Sequence, residues 1–303
     1  MKENDKELLD LDEEGNVKEE KDKKKPKKPD FSFKIIATIL IGGIFIIGII
    51  FISKQYKRTN QIELIIANDY DDMSIKAANI ITELIKKNPN AKLGLATGST
   101  PIGTYNELIE RYKNKEISFK NVSTFNLDEY IGLKQDHPQS YYHYMYENLF
   151  KHIDINLENT HIPKGEGNPT LNVKEYENLL NTNKINLQIL GVGRNGHIGF
   201  NEPGTNFSLG VHDVDLHEKT IKDNARFFEN DINKVPKKAI TMGIKNILDA
   251  ETIILMANGT NKADAIKNVM DNKVDINIPV TVLNIHKGKV YVIVDKLAAS
   301  KLW

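Results

Sequence analysis

Two adjacent acids mark the first segment of the sequence that could do chemistry. Asp128 and Glu129 follow a short apolar run in residues 125–130, which read FNLDEY. A carboxylate acts as a general base when its surroundings move its pKa toward the working pH. Because neighbouring side chains of an extended segment point to opposite faces, at most one of the two acids needs to face a ligand. The alternative is an aspartate that caps a helix or turn and does no chemistry.

A histidine in a glycine-rich segment supplies a second reactive group. Residues 191–203 read GVGRNGHIGFNEP, with four glycines in nine positions, so the main chain there can approach a ligand closely. His197 is the side chain type best suited to move protons at neutral pH, although a loop histidine is also commonly a surface residue. Its spacing from Glu202 does not match the H-E-x-x-H zinc motif, and the chain has no cysteine, so we predict no metal site.

A third segment has the composition of an anion site. Residues 96–101, ATGSTP, follow an apolar run and precede a helical pattern. Gly98 allows a turn with positive φ, while Ser99 and Thr100 offer hydroxyl and main-chain N–H groups. Because N–H groups at the start of a helix bind anions, the segment predicts a phosphate loop. The alternative is an ordinary strand-to-helix turn. The segment matches neither GxGxxG nor GxxxxGK[ST], which argues against nucleotide binding.

A lysine follows a later apolar run in the same way. Residues 258–262 read NGTNK, and Lys262 stands where the next helical pattern begins. An ammonium group at that position could meet a phosphate. The alternative is a solvated lysine at a helix start, which is the commoner case.

These segments need elements that bring them together. From residue 62 onward, short apolar runs alternate with apolar residues at three- and four-residue spacing, which predicts alternating strands and helices. We predict strands at 62–67, 92–96, 122–127, 187–192, 252–257 and 290–294, and helices at 73–85, from 101, near 141–150, at 173–180 and at 262–269. The pattern indicates an α/β fold, a Rossmann-like three-layer sandwich with a mostly parallel sheet. Ligands bind outside the carboxyl ends of such strands, where the reactive segments fall.

An apolar run near the amino terminus has the length of a membrane span. Residues 35–53 contain 19 residues without a charge, which as a helix would extend roughly 28 Å, close to the thickness of the hydrocarbon core. We therefore predict a single transmembrane helix at 35–53. A cleaved signal peptide would usually be shorter and followed by small residues. A buried globular helix would be expected to have a polar face. The charged residues 1–34 predict a disordered tail.

The charge distribution limits the partners. The chain has 41 Lys and Arg and 41 Asp and Glu, and residues 59–303 hold 28 basic and 30 acidic side chains, so we predict no nucleic-acid partner. About 245 residues are enough for a domain with its own core. Seven lysines precede the predicted span and three basic residues follow it, which favours a cytoplasmic amino terminus and an outward main domain.

In their order along the chain and in their amino-acid sequences, the segments resemble those of glucosamine-6-phosphate deaminases. The family's stretches read here LGLATGSTP at 93–101, FNLDEYIGL at 125–133 and GRNGHIGFNEPG at 193–204, joined by NARF at 224–227 and NGTNK at 258–262. The resemblance runs from about residue 62 to the carboxyl terminus and makes 59–303 a catalytic domain. It implies an enzyme that opens the ring of glucosamine 6-phosphate, moves a proton from C2 to C1 and releases ammonia to leave fructose 6-phosphate. No cofactor is implied.

The resemblance also assigns roles to single residues. Asp128 would take the proton from C2, and His197 would act in ring opening. Glu202 and Asn195 would tune and orient the imidazole. Some members of the family have Asp where this chain has Asn195, so here His197 is expected to depend more on Glu202.

The phosphate of the substrate is assigned to two of the segments and to one arginine. By resemblance it would sit on Gly98, Ser99 and Thr100. Arg226 and Lys262 would neutralise it, because guanidinium and ammonium groups are both common phosphate partners.

Two other functions have to be weighed. A 6-phosphogluconolactonase shares the fold, but that family has Asp-Glu-Arg where this chain reads Asp128, Glu129 and Tyr130. A membrane-tethered sugar-phosphate sensor without turnover would tend to lose the base, whereas Asp128 and His197 are both present. The substrate favours a cytoplasmic catalytic domain and the lysine count favours an outward one, so the side stays open, as do the choice between glucosamine and galactosamine and the formation of an oligomer.

Overall fold

The computed structural model describes residues 62–303, which contain ten strands and seven α-helices. The strands are β1 (Ile62–Ala67), β2 (Lys92–Leu95), β3 (Ser123–Asn126), β4 (Asp128–Tyr130), β5 (Thr160–His161), β6 (Leu187–Leu190), β7 (His212–Asp215), β8 (Lys238–Thr241), β9 (Thr252–Ala257) and β10 (Lys289–Asp295). The helices are α1 (Tyr70–Lys87), α2 (Ile102–Lys113), α3 (Tyr141–Asn148), α4 (Pro169–Thr182), α5 (Glu218–Asn224), α6 (Ile244–Leu248) and α7 (Ala263–Met270).

The predicted tail at 1–34 and the predicted transmembrane helix at 35–53 lie outside the described residues. Residues 59–61 of the predicted catalytic domain lie outside them as well. Within 62–303, the helices are all too short or too polar to cross a bilayer.

Seven strands form one parallel sheet in the order β1-β10-β9-β6-β2-β3-β5. Its registers align apolar side chains across neighbouring strands: Leu64 lies beside Val292, Val292 beside Leu255, and Leu255 beside Leu190. Burying one such side chain stabilises the fold by about 1.5–3 kcal/mol. Strands covered on both faces need continuous apolar runs, and this is why their sequences could be recognised. The predicted α/β fold with a mostly parallel sheet is confirmed, and each of the six predicted strands is within two residues of its observed bounds.

Helix α1 shows how the sequence places a helix against this sheet. Asp69 caps its amino end by accepting a hydrogen bond from the main-chain N–H of Asp72 at 2.9 Å. Acidic residues occupy its first turn and lysines its last, which complements the helix dipole. The face toward the core is apolar and fully buried at Met73, Ala77 and Ile81.

A second sheet of three antiparallel strands, in the order β4-β8-β7, was not predicted. The predicted strand at 122–127 ends at Asn126, and the chain passes to the second sheet at Asp128. Leu127 joins the two sheets, because its N–H donates to the carbonyl of Leu95 at 3.1 Å and its carbonyl accepts from Met242 at 2.6 Å. Asp128, which pairs with Thr241, therefore begins a new strand beside the carboxyl edge of the large sheet.

Candidate active site

A cavity of about 870 Å³ lies at the carboxyl ends of β2, β3, β6 and β9. The four segments chosen from the sequence all contribute to its wall. Of the nine predicted site residues, seven line it: Gly98, Ser99, Thr100, Asp128, His197, Arg226 and Lys262. The other two, Asn195 and Glu202, lie behind His197 and reach it through the contacts described below. Within residues 62–303, no three or more His, Asp or Glu side chains are grouped so that they could hold a metal ion.

The loop after β2 lines the cavity with Gly98, Ser99 and Thr100. Gly98 has φ of +90°, as its place in the turn predicts. The loop's carbonyls are engaged by tyrosine hydroxyls, which donate from Tyr105 to Ala96 (2.6 Å), from Tyr144 to Gly98 (2.5 Å) and from Tyr70 to Ser99 (3.0 Å). Carbonyl oxygens repel an anion. Because these three carbonyls are bound by hydroxyl groups, the N–H and hydroxyl donors of the loop are the groups left to bind an anion.

A carboxylate fixes the second loop of the predicted phosphate site. Gly259 has φ of +86°, and its N–H lies 3.0 Å from both carboxylate oxygens of Asp295, at the end of β10. The 3-10 turn Thr260–Lys262 follows directly and carries Lys262 into the cavity wall. Asp295 was not singled out in the sequence, because it meets Gly259 only through the fold.

Three cations share this end of the cavity. Arg194, Arg226 and Lys262 all line it, and within the described part of the chain no carboxylate forms an ion pair with any of them. Burial, together with the charges of Arg194 and Arg226, lowers the pKa of Lys262 to about 8. The arrangement favours a bound anion. Arg194 was given no role from the sequence, although it stands in the glycine-rich segment.

Asp128 lies in the same cavity without a partner. The residue is only 7% exposed, and none of the hydrogen bonds or ion pairs of the described residues reaches its carboxylate. Burial, and next the charge of Glu129, raise its pKa to about 8. Glu129 does not line the cavity, in agreement with the expectation that only one of the two acids faces a ligand.

A half-buried cluster of side chains beside the cavity holds the histidine. Nδ1 of His197 lies 3.4 Å from Oε2 of Glu202. Although burial would raise the pKa of Glu202, the His197 ring and hydrogen bonds from Thr220 and Asn195 lower it to about 2. Glu202 is therefore an anion at neutral pH.

Asn195 contacts Glu202 and the main chain of His197, and not the imidazole ring. Its Nδ2 donates to Oε2 of Glu202 at 2.7 Å, and its Oδ1 accepts from the main-chain N–H of His197 at 3.3 Å. The amide contacts the carboxylate and the loop, and the predicted role in orienting the imidazole would be exerted through them.

The family model and the individual relatives found by comparison with known proteins agree with one another. The model of the family of glucosamine-6-phosphate isomerases and 6-phosphogluconolactonases matches residues 70–292. A glucosamine-6-phosphate deaminase of Clostridium novyi (strain NT) is 52% identical over 236 residues, which are 77% of this chain and 97% of that protein. A glucosamine-6-phosphate deaminase of Thermoanaerobacter sp. (strain X514) is 51% identical over 240 residues, 78% of this chain and 94% of that protein.

Solved structures extend the comparison to the fold. A monomeric glucosamine-6-phosphate deaminase, 42% identical in sequence, has a TM-score of 0.77 and covers 78% of this chain and 99% of its own. A 6-phosphogluconolactonase from Trypanosoma brucei is 19% identical, with a TM-score of 0.67 over 79% of this chain and 98% of its own. At that identity the likeness concerns the fold alone.

The cation cluster predicts anion binding that weakens at alkaline pH. Below pH 8 Lys262 is protonated in the empty cavity, and as the pH rises through 8 it loses the charge that attracts the anion. Sulfate keeps the same charge over this range, so its affinity measured by calorimetry should fall by about tenfold between pH 7 and 9. Lys262→Arg is the matched control, because a guanidinium stays protonated and should keep the affinity nearly constant. A wild-type affinity that does not change with pH would contradict this assignment.

Proposed function

Because the chain belongs to the family of glucosamine-6-phosphate isomerases and 6-phosphogluconolactonases, we propose that it converts glucosamine 6-phosphate and water to fructose 6-phosphate and ammonia. One observation carries the proposal: a buried carboxylate and a cluster of cations line the same cavity, and within residues 62–303 none of them is paired with an opposite charge. The phosphate of the substrate complements the cations of Arg194, Arg226 and Lys262. The carbon that bears nitrogen then lies toward Asp128.

Ring opening comes first, because the proton on C2 becomes acidic only when C1 is an aldehyde. It needs a group that gives a proton to the ring oxygen and accepts one from the C1 hydroxyl. His197 lines the cavity and is backed by the anionic Glu202, so it is suited to exchange protons there. The ring of His197 also lies against Gly193, where an added Cβ would come within 2.2 Å of Cε1. Gly193 therefore leaves the space that the imidazole occupies.

Proton transfer and deamination follow on the open chain. Asp128 removes the proton from C2 and returns it to C1, while the oxygen on C1 gains a proton and the nitrogen on C2 loses one. The aldehyde and amine thereby become an alcohol at C1 and an imine at C2. Water then adds to the imine carbon, and the C–N bond breaks to release ammonia and leave the ketone of fructose 6-phosphate. The reaction consumes water, while its central step is an aldose–ketose isomerisation.

The two alternative functions are less well supported. Hydrolysis of 6-phosphogluconolactone would rest on relatives that share the fold at 19% identity, whereas the deaminases are about half identical. A sensor without turnover would have no need of a base, yet Asp128 is present in the cavity together with His197.

The protein is also proposed to be anchored in a membrane by residues 35–53, on the strength of their apolar sequence alone. We place the catalytic domain in the cytoplasm, since phosphorylated sugars are kept inside cells. The larger number of lysines before the span favours the opposite orientation.

Substitution of Asp128 should abolish turnover without abolishing binding of the sugar phosphate. Asp128→Asn should lower the release of ammonia by about 100- to 10,000-fold, because general base catalysis contributes an effect of this size. Binding of fructose 6-phosphate, measured by calorimetry, should persist, since the cation cluster is untouched. The exposed Asp136 provides a matched control in Asp136→Asn, which should keep both properties. Loss of binding and turnover together would show that Asp128 is not the base.

The contact between Gly193 and His197 gives a second prediction. Gly193→Ala should lower kcat by about 100-fold, because the new Cβ displaces the imidazole from its catalytic position. Gly191→Ala is the control in the same loop, since a Cβ there meets no atom within 4 Å and should have a much smaller effect. Equal effects of the two variants on ammonia release would refute the role given to this contact.

Alkaline extraction tests the anchor. The full chain should stay in the membrane pellet after a carbonate wash, and a chain that begins at residue 59 should be released. Protease added to sealed inverted vesicles should then digest a cytoplasmic catalytic domain. Release of the full chain by carbonate would contradict the anchor, and protection of the domain in those vesicles would contradict its placement.

A further inference from the structure

Thr220 is a buried polar side chain to which the mechanism above gives no role. It lies in the first turn of helix α5, lines the cavity and is 5% exposed. A threonine hydroxyl in a helix commonly bonds to a main-chain group of its own segment. Here the hydroxyl donates to Oε1 of Glu202, which is 18 residues away in the chain. The contact therefore joins α5 to the glycine-rich loop that carries the histidine.

The two oxygens of the Glu202 carboxylate have separate donors. Oε2 accepts from Nδ2 of Asn195 at 2.7 Å and lies 3.4 Å from Nδ1 of His197. Among the hydrogen bonds of residues 62–303, the one from Thr220 alone reaches Oε1. Because the last torsion of a glutamate side chain is soft, a donor on each oxygen is needed to fix the plane of the carboxylate. Thr220 therefore limits the rotation of the group that faces the imidazole.

Both donors to this carboxylate are neutral. Within the described residues, no lysine or arginine lies in ion-pair contact with Glu202, and the imidazole of His197 is its single ion-pair neighbour. A hydrogen bond to a charged group is stronger than one between neutral groups, so a hydroxyl is enough to hold the oxygen. It does so without bringing a competing cation beside the imidazole.

Helix α5 is itself held in place at its other end. Nδ2 of Asn224, the last residue of the helix, donates to the hydroxyl oxygen of Tyr130 at 2.8 Å. Ala225 and Phe228 follow the helix and are buried in the same apolar cluster as Tyr130. A hydroxyl group carried by a helix that is anchored in this way has a defined position from which to orient Glu202.

We propose that Thr220 is a positioning residue for ring opening: its hydroxyl holds the Glu202 carboxylate in the orientation that keeps the imidazole of His197 in its catalytic position. The inference rests on the proposed deaminase function. In this role the hydroxyl exchanges no proton with the sugar and acts only through Glu202. A displaced imidazole slows the opening of the pyranose, because proton transfer requires the acid–base group within hydrogen-bonding reach and correctly oriented.

Two substitutions separate the hydroxyl from the shape of the side chain. Thr220→Val keeps the branched shape and removes the donor, and Thr220→Ser keeps the donor and removes a methyl group. Thr82→Val in helix α1 is the matched control. Thr82 is also buried, its hydroxyl accepts from Nη1 of Arg111 at 2.9 Å, and it does not line the cavity. Each variant is made in the full chain, with circular dichroism to verify folding.

Steady-state kinetics and calorimetry separate positioning from binding. Thr220→Val should lower kcat for ammonia release from glucosamine 6-phosphate by about 10- to 100-fold, the effect of losing one hydrogen bond to a charged group. It should bind fructose 6-phosphate as the wild type does. Thr220→Ser should recover most of the rate, and Thr82→Val should keep the rate even where its Tm falls. An unchanged kcat in Thr220→Val, or a loss that serine does not recover, would overturn the proposal.

Imidazole nitrogen NMR without substrate gives a readout that is independent of turnover. At one fixed pH, the resonances of His197, assigned by comparison with His197→Asn, should move in Thr220→Val because Glu202 is no longer held beside Nδ1. They should return in Thr220→Ser and stay in place in Thr82→Val. Thr220→Ala replaces Thr220→Val if the latter does not fold. Resonances that do not move when the hydroxyl is removed would refute the positioning role. A wild-type protein that releases no ammonia but shows this pattern would refute the proposed function alone.

Discussion

The separation of unlike charges inside one cavity is the constraint on which the site depends. Asp128 is buried without a partner, and Arg194, Arg226 and Lys262 are unpaired in the described structure. A carboxylate that is buried, as that of Asp128 is, costs free energy to ionise, and a cation in contact with it would lower its pKa. Because the fold keeps Asp128 and the cations out of contact, the pKa of Asp128 stays high and the cations remain available to bind a phosphate. The stability given up here is what makes the cavity reactive toward a phosphorylated amino sugar.

The backbone supplies this separation at a few points. The chain leaves the parallel sheet at Leu127 and enters the second sheet at Asp128, which turns the carboxylate into the cavity. On the cationic side, Asp295 fixes the turn at Gly259, and tyrosine hydroxyls hold back the carbonyls of the loop around Gly98. Leu127, Asp295 and the tyrosine hydroxyls are not expected to touch the substrate. They determine where the reacting groups stand, and small displacements there would cost much of the rate.

The sequence predicted the parts of the molecule that are local. Parallel strands such as Thr252–Ala257 are continuous apolar runs, so their positions and the fold class followed from the pattern. The strands of the second sheet are three or four residues long and polar in β7 (HDVD), so periodicity had nothing to detect. The site segments were found because they end strands. The partners of Asn195 and Thr220, and the role of Asp295, depend on contacts between distant segments, which no spacing encodes.

A crystal structure with bound fructose 6-phosphate tests the central claim most directly. The account predicts the phosphate between Lys262 and the loop of Gly98, with a carboxylate oxygen of Asp128 within hydrogen-bonding or van der Waals reach of C1 and C2. A sugar bound with its phosphate toward Asp128, or with C1 and C2 several ångströms beyond that carboxylate, would contradict it.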